Sequence, residues 1–294
     1  MDTFFGAVVH GILLGGIYCL VALGVLVIYK SSRVFNMAHG EIMVFLAFLT
    51  WWFVVSAGIP IWLALPLVVV SSALLGLIFN RFLIRPVIGR PMLVTFMITL
   101  LLGIALKGIA IIIWGGLPQA FPDFMPEGNL NVGGVSFSYT TLISFVIAIF
   151  MFGVFVLYFR YTRMGFAMRC VSEDNHISRS LGIDVKRIFA LSWVIGCIAA
   201  AVGGVLLGSV YAVDTSIGEF GIIRALPVLL LGGLESIPGT LIGAIMIGVT
   251  EVLASTYIDP HVPGFRELLP FVMMVLILMV RPQGLFGQKS IERI

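Results

Sequence analysis

Charge is scarce in this sequence. Only 11% of the 294 residues are charged, while 60% are hydrophobic, against about a quarter charged residues in an ordinary soluble domain. A soluble fold needs polar surface to cover its apolar core, and this composition cannot supply it. The composition therefore predicts a membrane protein whose solvent is mostly lipid. The net charge of +3 gives no indication of nucleic-acid binding.

The motifs of the common catalytic sites are also missing. The chain has no GxxxxGK(S/T) phosphate loop, no HExxH or GxSxG motif, and no cluster of His and carboxylates at metal spacing. Its three cysteines form no CxxC pair and are interpreted as buried or incidental thiols: Cys19, Cys170 and Cys197. The sequence therefore predicts no catalytic residue, cofactor or metal, and no binding of ATP by a phosphate loop.

Long apolar runs dominate what is present. A membrane-spanning helix needs about 20 mostly apolar residues. Eight runs qualify, at 4–28, 37–57, 61–80, 92–114, 139–159, 188–212, 240–258 and 266–280, and a shorter run lies at 220–233. The runs are continuously apolar, without the alternation of a membrane β-barrel. We therefore predict an all-α polytopic membrane protein, with 1–294 as a single transmembrane domain.

Lys and Arg predict how this domain is oriented. When successive loops are assigned alternately to the two sides of the membrane, 14 of the 17 basic residues lie on the same side: Lys30, Arg33, Arg81, Arg85, Arg90, Arg160, Arg163, Arg169, Arg179, Lys186, Arg187, Arg281, Lys289 and Arg293. The opposite loops contain Asp123, Glu127, Asp214 and Asp259, with Arg266. The positive-inside rule makes the first side cytoplasmic, with the N-terminus periplasmic and the C-terminus cytoplasmic.

That orientation requires an odd number of crossings, so 220–233 must cross or dip as a ninth element, giving about nine elements (8–10). Pro227 is predicted to break this element, and a Gly- and Pro-rich stretch follows it: Gly232, Gly233, Pro238 and Gly239. Irregular backbone at membrane depth survives only where protein or a water-filled cavity satisfies its polar groups. A plain short helix followed by a turn is the alternative.

The segment that opens the second run combines polar and ionisable residues. Asn36 is a candidate N-cap, and Glu41 would complement the dipole of the first turn. Capping does not explain His39 beside Gly40 and Glu41 where an apolar span begins. Ionisable groups at membrane depth usually face a bundle interior or an aqueous cavity. A capping role and a role in a pathway or hinge both remain open.

A similar segment follows the sixth run. Residues 213–219 also end in Gly-Glu and lead into an apolar piece, as 34–41 do after the first run. Five crossings separate the two, so they would have opposite orientations, as in the inverted repeats of transporters. We predict pseudo-repeats at roughly 1–135 and 186–294. The candidate pathway or hinge residues are Asn36, His39, Gly40, Glu41, Gly218, Glu219, Gly232, Gly233, Pro238 and Gly239.

The loop 160–187 is the most polar stretch. Met164, Ala167, Met168 and Val171 recur at helical spacing and predict one apolar face on a short helix. Such a helix suits either docking into a partner or resting on lipid headgroups, and the spacing does not decide between them. Three charges lie in or near apolar runs, Lys107, Arg224 and Glu251. They are predicted to be paired within the bundle or snorkelling rather than binding substrate.

Four segments together carry a resemblance to a known family: Gly15–Gly24, Asn36–Glu41 (similar to N-F-A-H-G-E), Thr162–Gly182, and Val228–Gly239 (similar to V-L-G-G-x-G-S-I-P-G). The chain resembles the inner-membrane permease of the branched-chain amino-acid ABC transporter family, of the LivH type. It departs from the family pattern at Met37, where Phe is usual, and at Glu235, where a small residue is usual. Lys107 is unexpected in a family helix.

The resemblance implies the partners and the role of the cytoplasmic loop. The partners are a related second permease, two cytoplasmic ATPase subunits that hydrolyse ATP, and a periplasmic substrate-binding protein. The loop would form a coupling helix on an ATPase, with Gly165, Ala167, Arg169, Glu173 and Asp174 as its candidate residues. Substrates of this permease type include aliphatic amino acids, urea, short amides and aromatic acids. The alternative function is an ion-coupled carrier or channel that acts without an ATPase.

Overall fold

The computed structural model describes residues 2–87, 90–122, 124–126, 128–132 and 135–287, and these residues are mostly helical. Their helices are α1 (Asp2–Ser32), α2 (His39–Trp51), α3 (Ile61–Phe79), α4 (Met92–Trp114), α5 (Tyr139–Tyr161), α6 (Arg163–Glu173), α7 (Asn175–Ser180), α8 (Val185–Tyr211), α9 (Ser216–Gly232), α10 (Ile237–Tyr257) and α11 (Phe265–Val280). A π-helical turn, Trp52–Ser56, extends α2. A second, Asn80–Ile84, and a 3-10 turn, Arg85–Val87, extend α3.

Each of the eight long apolar runs contains one of these helices, so the prediction of a helical, multi-pass membrane protein is confirmed. Among the described residues, seven helices are long and apolar enough to cross a membrane. The shorter α9 and α11, of 17 and 16 residues, fall below that length. Asp123, Glu127, Lys289 and Arg293, which the charge pattern uses, lie outside the described residues.

The predicted break at Pro227 is wrong. Pro227 lies inside α9, which continues to Gly232. Proline removes one helical hydrogen bond and crowds the preceding turn, but Pro227 is buried, and membrane helices tolerate proline where neighbouring helices restore the packing. The breaks lie instead before α9, at 212–215, and after it, at 233–236.

Helix α1 is the centre of the bundle. It packs against α5, α8, α9 and α10, and its middle residues are almost completely buried. Glycines permit the closest approach: a β-carbon on Gly15 would lie 2.6 Å from the Ala244 carbonyl oxygen of α10, and one on Gly248 would overlap Gly11. Small residues at helix crossings are the usual means by which membrane helices pack closely.

Helix α8 is the second central helix, with α1, α2 and α3 packed around it. A β-carbon on Gly76 of α3 would lie 2.8 Å from the Trp193 carbonyl oxygen of α8. Helices α3, α4, α5 and α11 form the outside and expose many large apolar side chains, among them Leu74, Leu101, Ile112, Phe150, Leu157 and Met279. This outer surface suits contact with lipid.

The two ends of the bundle differ. A short antiparallel hairpin, β1 (Asn129–Val132) with β2 (Val135–Ser138), lies beside the start of α1, where His10 Nε2 is 3.2 Å from the Ser136 carbonyl oxygen. We call this the hairpin end. The sequence did not predict the two strands there. The end of α1 lies at the opposite side, next to α6, and we call that side the α6 end.

Candidate functional site

Both central helices end in the same unusual way. Arg33, directly after α1, has a φ of 56°, and Ala212, directly after α8, has a φ of 76°. Positive φ is uncommon for residues other than glycine. Ala212 has a ψ of 157°, so its backbone leaves the helix in an extended direction. The chain then turns back into the bundle, because His39, at the start of α2, lies against Gly24 in the middle of α1.

The first turns of α2 and α9 cross in backbone contact. A β-carbon on Gly40 would overlap the carbonyl oxygen of Gly218, and one on Gly218 would lie 2.8 Å from the carbonyl oxygen of Gly40. Glycine is needed on both helices because any side chain would push them apart. The two Gly-Glu segments that the sequence paired thus meet inside the bundle.

Asn36 and His39 lie at this crossing as buried residues. Asn36 is not the N-cap of α2, which is Ala38. Its side-chain oxygen accepts a hydrogen bond from the Ala38 amide at 3.1 Å, so it shapes the turn before the helix. His39 is completely buried beside Gly24 and the main chain of Val21. Neither of its ring nitrogens has a hydrogen bond of good geometry within the described part of the chain.

Three charged groups adjoin the crossing. Lys107 of α4 and Glu219 of α9 form an ion pair, so Lys107 is paired as the sequence predicts. The Glu41 carboxylate is an electrostatic neighbour of both, and its Cγ would lie 3.4 Å from a β-carbon on Gly103, one turn before Lys107. Oε2 of Glu41 is buried and has no hydrogen-bonding partner among the described residues.

This charged cluster of Glu41, Lys107 and Glu219 is open on one side. The side chains of Lys107 and Glu219 are 32% and 59% exposed. Lys107 and Glu41 both lie within helices long and apolar enough to span a membrane. The two crossing helices therefore present one carboxylate each, and α4 presents one ammonium beside them, at membrane depth on an accessible face.

A second ion pair on α9 is sealed. Nε of Arg224 lies 3.0 and 3.1 Å from the two oxygens of Glu251 on α10, and Nη2 lies 2.8 Å from Oε1. Both side chains are only 7% exposed. The guanidinium carbon lies 3.3 Å from the centroid of the Phe220 ring, and Tyr18 and Tyr211 are close enough to interact electrostatically. Arg224 and Glu251 are thus both paired within the bundle, one of the two outcomes that the sequence predicts for each of them.

The remaining predicted pathway residues occupy the other end of α9. A β-carbon on Gly232 or Gly239 would overlap the backbone of the other. Gly233 has a φ of 98°, and Pro238 is in the first turn of α10, whose N-cap Ser236 accepts from the Gly239 amide at 3.1 Å. These glycines close the tight turn between α9 and α10. The turn begins 14 residues after Gly218, about 21 Å along the helix, so the predicted set divides into two separate places.

Helix α6 is fastened to the end of α5. Thr162 caps it by accepting from the Gly165 amide at 2.9 Å. A β-carbon on Gly165 would lie 2.5 Å from the Tyr158 and Phe159 carbonyl oxygens, so α6 approaches too closely for a side chain there. Arg169 donates to the Phe159 carbonyl, and its guanidinium lies over the rings of Phe159 and Phe166. Gly165 and Arg169 therefore hold α6 in place.

The predicted apolar face of α6 is only partly correct. Met168 and Val171 are buried and Ala167 is half-buried, but Met164 is 47% exposed. The other exposed large apolar residues of this region are Phe166 of α6, Ile177 of α7 and Leu181 directly after α7. Glu173 and Asp174 lie at the exposed end of α6, where Asp174 accepts from the Ile177 amide at 2.9 Å. Sequence reasoning missed Phe166 and Leu181, whose signal is an apolar residue on the polar side of a short helix.

Arg33 joins three elements at the α6 end. Its guanidinium pairs with Glu235 in the turn between α9 and α10 and donates to the Ser172 carbonyl of α6 at 3.1 Å. Lys30 Nζ donates to the Glu235 carbonyl at 2.7 Å. Glu235, unusual by the family pattern, is thus held by the end of α1. These contacts link α6 to the turn that follows α9.

Comparison with known proteins identifies the family. The family described as "Branched-chain amino acid transport system / permease component" matches residues 7–278. The LivH permease of the high-affinity branched-chain amino acid transport system of Salmonella typhimurium is 30% identical, over 99% of this chain and 98% of its own. The BraD permease of Pseudomonas aeruginosa is 30% identical, over 97% and 96%. The probable LivH of Methanocaldococcus jannaschii is 27% identical, over 96% and 91%. This chain belongs to the family of branched-chain amino acid transport permeases.

Proposed function

We propose that the chain is the transmembrane permease subunit of an ABC importer that carries branched-chain or other small amino acids across the inner membrane. Family membership supports the permease role. The observation that carries the site is the crossing of α2 and α9 at Gly40 and Gly218 beside a charged, accessible cluster. Helix starts that meet inside the bilayer are the usual place of a transporter's substrate path.

The two halves form inverted repeats, in which α1, α2, α3 and α4 correspond to α8, α9, α10 and α11. Equivalent helix pairs pack in both halves. The contact of α1 with α10 has its counterpart in the contact of α8 with α3, and the contact of α2 with α8 has its counterpart in the contact of α9 with α1. The two helices that begin the repeats, α1 and α8, cross closely at Gly24 and Gly196, since a β-carbon on either would lie 3.1 Å from the carbonyl oxygen of the other. Arg33 and Ala212, with positive φ, occupy equivalent places.

Nine transmembrane elements follow if α9 and α11 are counted with the seven longer helices. Helix α9 starts at depth rather than at the membrane surface, so its 17 residues need not span a full bilayer. With an odd number of elements, the hairpin end is periplasmic and the α6 end cytoplasmic. The basic residues Lys30, Arg33 and Arg169 at the α6 end support this orientation.

The α6 end docks on the cytoplasmic ATPases. Met164, Phe166, Ile177 and Leu181 expose apolar side chains outside the spanning helices, which suits insertion into a groove of a partner protein. A related second permease and a periplasmic substrate-binding protein complete the importer. The ATPases supply the energy, because this chain has no phosphate loop.

Movement passes from α6 into the bundle through the contacts that hold it. Gly165 and Arg169 tie α6 to α5, so a push on α6 moves the end of α5. Arg33 passes part of the displacement to Glu235. The turn at Glu235 then moves the far end of α9, whose near end crosses α2.

Uptake by a reconstituted importer tests this function. Liposomes containing this chain, its second permease and both ATPases, with ATP inside and binding protein outside, should accumulate radiolabelled leucine. Liposomes with this chain alone should not. Accumulation by the chain alone under an ion gradient would contradict the proposal and support the ion-coupled carrier.

The docking surface has a matched pair of variants. Phe166→Ser should lower the ATP hydrolysis that loaded binding protein stimulates by about tenfold or more, the effect of losing a central aromatic contact at an interface. Phe82→Ser removes an aromatic ring of similar exposure (67% against 59%) from the π-helical turn that extends α3, and should leave that rate near wild type. Equal rates in the two variants would contradict docking at α6.

A further inference from the structure

We propose that Glu41, Lys107 and Glu219 form a polar station in the translocation pathway that receives the ammonium group of a zwitterionic solute. The inference rests on the proposed importer function and narrows its substrate class. Among the solutes that this permease type carries, it selects amino acids over urea, neutral amides and organic acids without an amino group.

The position of the charges excludes lipid as their neighbour. Lys107 lies seven residues before the end of α4, about 10 Å from that end, and Glu219 is paired with it. Charged groups at membrane depth face a bundle interior or a water-filled cavity, because burial in hydrocarbon is costly. Since the side chain of Glu219 is 59% exposed in this chain, the face that carries it must adjoin water or a protein partner.

The charges of the station do not cancel. It contains two carboxyl groups and one ammonium, so when both carboxyl groups are ionised one negative charge is left after Lys107 and Glu219 pair. Oε2 of Glu41 is the unpaired acceptor within the described residues. Asp214 is an additional acidic neighbour of Lys107, but its Oδ1 accepts from the amides of Ser216 and Ile217 at 2.7 and 3.0 Å and so serves the start of α9.

These groups match the two ends of an α-amino acid. A primary ammonium has three donors and no acceptor, which suits the carboxylates of Glu41 and Glu219. The carboxylate of the same solute can pair with Lys107. A solute with a carboxylate and no ammonium meets a net negative charge, and a neutral amide gains no ionic contact. Recognition of this kind is transient, because the cluster is half-open and an exposed ion pair contributes little.

The matched arrangement on α9 strengthens the assignment. Arg224 and Glu251 have equal and opposite charges, bind each other through three short contacts and are closed off by Phe220. Neither has free capacity for a solute. The cluster at Lys107 has both an unpaired acceptor and an accessible side.

Reporter cysteines test the station without requiring transport. In a Cys170→Ser background, Ile223→Cys places a thiol one turn after Glu219, at a residue that is 43% exposed. Ile112→Cys places one on the outer side of α4, at a residue 84% exposed. The native Cys19 and Cys197 are buried. The complete importer in liposomes is treated with methanethiosulfonate reagents that carry either a trimethylammonium or a sulfonate group.

The thiol at position 223 should react with both reagents, and roughly tenfold faster with the cationic one, the enhancement expected in a cleft of one charge sign. Glu41→Gln should reduce that ratio. The lipid-facing thiol at position 112 should react slowly with both. No reaction at position 223 would mean that a protein partner covers this face, and equal rates with the two reagents would remove the charge argument; either result overturns the proposal.

Protection by small probes identifies the recognised group. Leucine and 3-methylbutylamine, which carry an ammonium, should slow the labelling at position 223, and 4-methylpentanoate, which has the same skeleton without it, should not. Equal protection by 4-methylpentanoate would overturn the proposal. Failure of the wild-type importer to accumulate leucine would instead reject the proposed function, since the labelling does not depend on ATP hydrolysis.

Discussion

Helix α9 carries two ion pairs, each between a basic side chain and a glutamate. The two pairs differ in burial, in the number of contacts and in their surroundings. Arg224 and Glu251 are each 7% exposed and form a bidentate contact beside the ring of Phe220. Lys107 and Glu219 make one contact and remain 32% and 59% exposed. The first pair joins α9 to α10 in the bundle interior. The second joins α9 to the outer helix α4 beside an additional carboxylate.

The difference in exposure indicates that Arg224 and Glu251 stabilise the bundle, whereas Lys107 and Glu219 are accessible to a solute. A buried pair is costly to break, because removal of one partner leaves a desolvated charge. A half-exposed pair can exchange one partner for water or for a solute group at little cost. Helix α9 is thus held firmly along its length by Arg224 and presents reactive charge only at its start. The predictions below test whether that division is correct.

The largest effect is expected at the sealed pair. Glu251→Gln leaves the Arg224 guanidinium buried without a counter-charge and should destabilise the chain by about 3–5 kcal/mol. Thermal unfolding of the purified protein in detergent measures the loss. The double variant Arg224→Met/Glu251→Met removes both charges and should recover most of the stability. A single variant as stable as the wild type would show that the pair is not desolvated.

An intermediate effect is expected where α9 crosses α2. Gly40→Val forces apart two backbones in contact and should cost about 1–3 kcal/mol of overpacking, with loss of uptake because the crossing is displaced. Uptake by the importer at matched expression is the measurement. Gly153→Val is the control, since a β-carbon on Gly153 of α5 would meet nothing within 4 Å. Normal uptake by Gly40→Val would show that the crossing has no role in transport.

The smallest effect on stability is expected at the open pair. Glu219→Gln should change the free energy of unfolding by no more than about 1 kcal/mol, comparable to Arg266→Gln, which breaks the exposed pair of Arg266 with Asp259. Leucine uptake should nevertheless fall in Glu219→Gln. A stability loss as large as that of Glu251→Gln would mean that the two pairs do not differ in kind.

The sequence predicted the helices well because each long apolar run must satisfy its backbone within the bilayer. It also predicted that the isolated charges are either paired within the bundle or snorkelling. It could not name the partners, since Lys107 and Glu219 are separated by 112 residues and Arg224 and Glu251 by 27. Only packing of distant helices brings such residues together, and no local pattern encodes it.

The breaks around α9 show that a local sequence signal can also mislead. Pro227 is a strong local signal for a break, yet the helix continues through it, because buried packing on both sides outweighs one lost hydrogen bond. The turns that do redirect the chain lie at Arg33 and Ala212, whose side chains do not favour positive φ. Tertiary contacts impose those conformations, so sequence patterns do not reveal them.

The resemblance implies that Gly165 and Arg169 contact an ATPase, whereas in the structure both residues pack α6 against the end of α5. Gly165 is buried and Arg169 is occupied by the end of α5, so neither reaches freely toward a partner. The exposed Phe166 between them has that geometry. Under the proposed docking, contact with the ATPases falls to Phe166 rather than to the residues that the resemblance names.

The central position of α1 has a consequence for biosynthesis. Helix α1 is buried by α8, α9 and α10, and the first of these begins at Val185, 153 residues after α1 ends at Ser32. Until then its glycine-lined side, including Gly11 and Gly15, has only lipid or foreign helices as neighbours, and small-residue faces associate readily. The side of α1 that becomes the centre of the bundle therefore stays uncovered in the nascent chain until α8, α9 and α10 have been inserted.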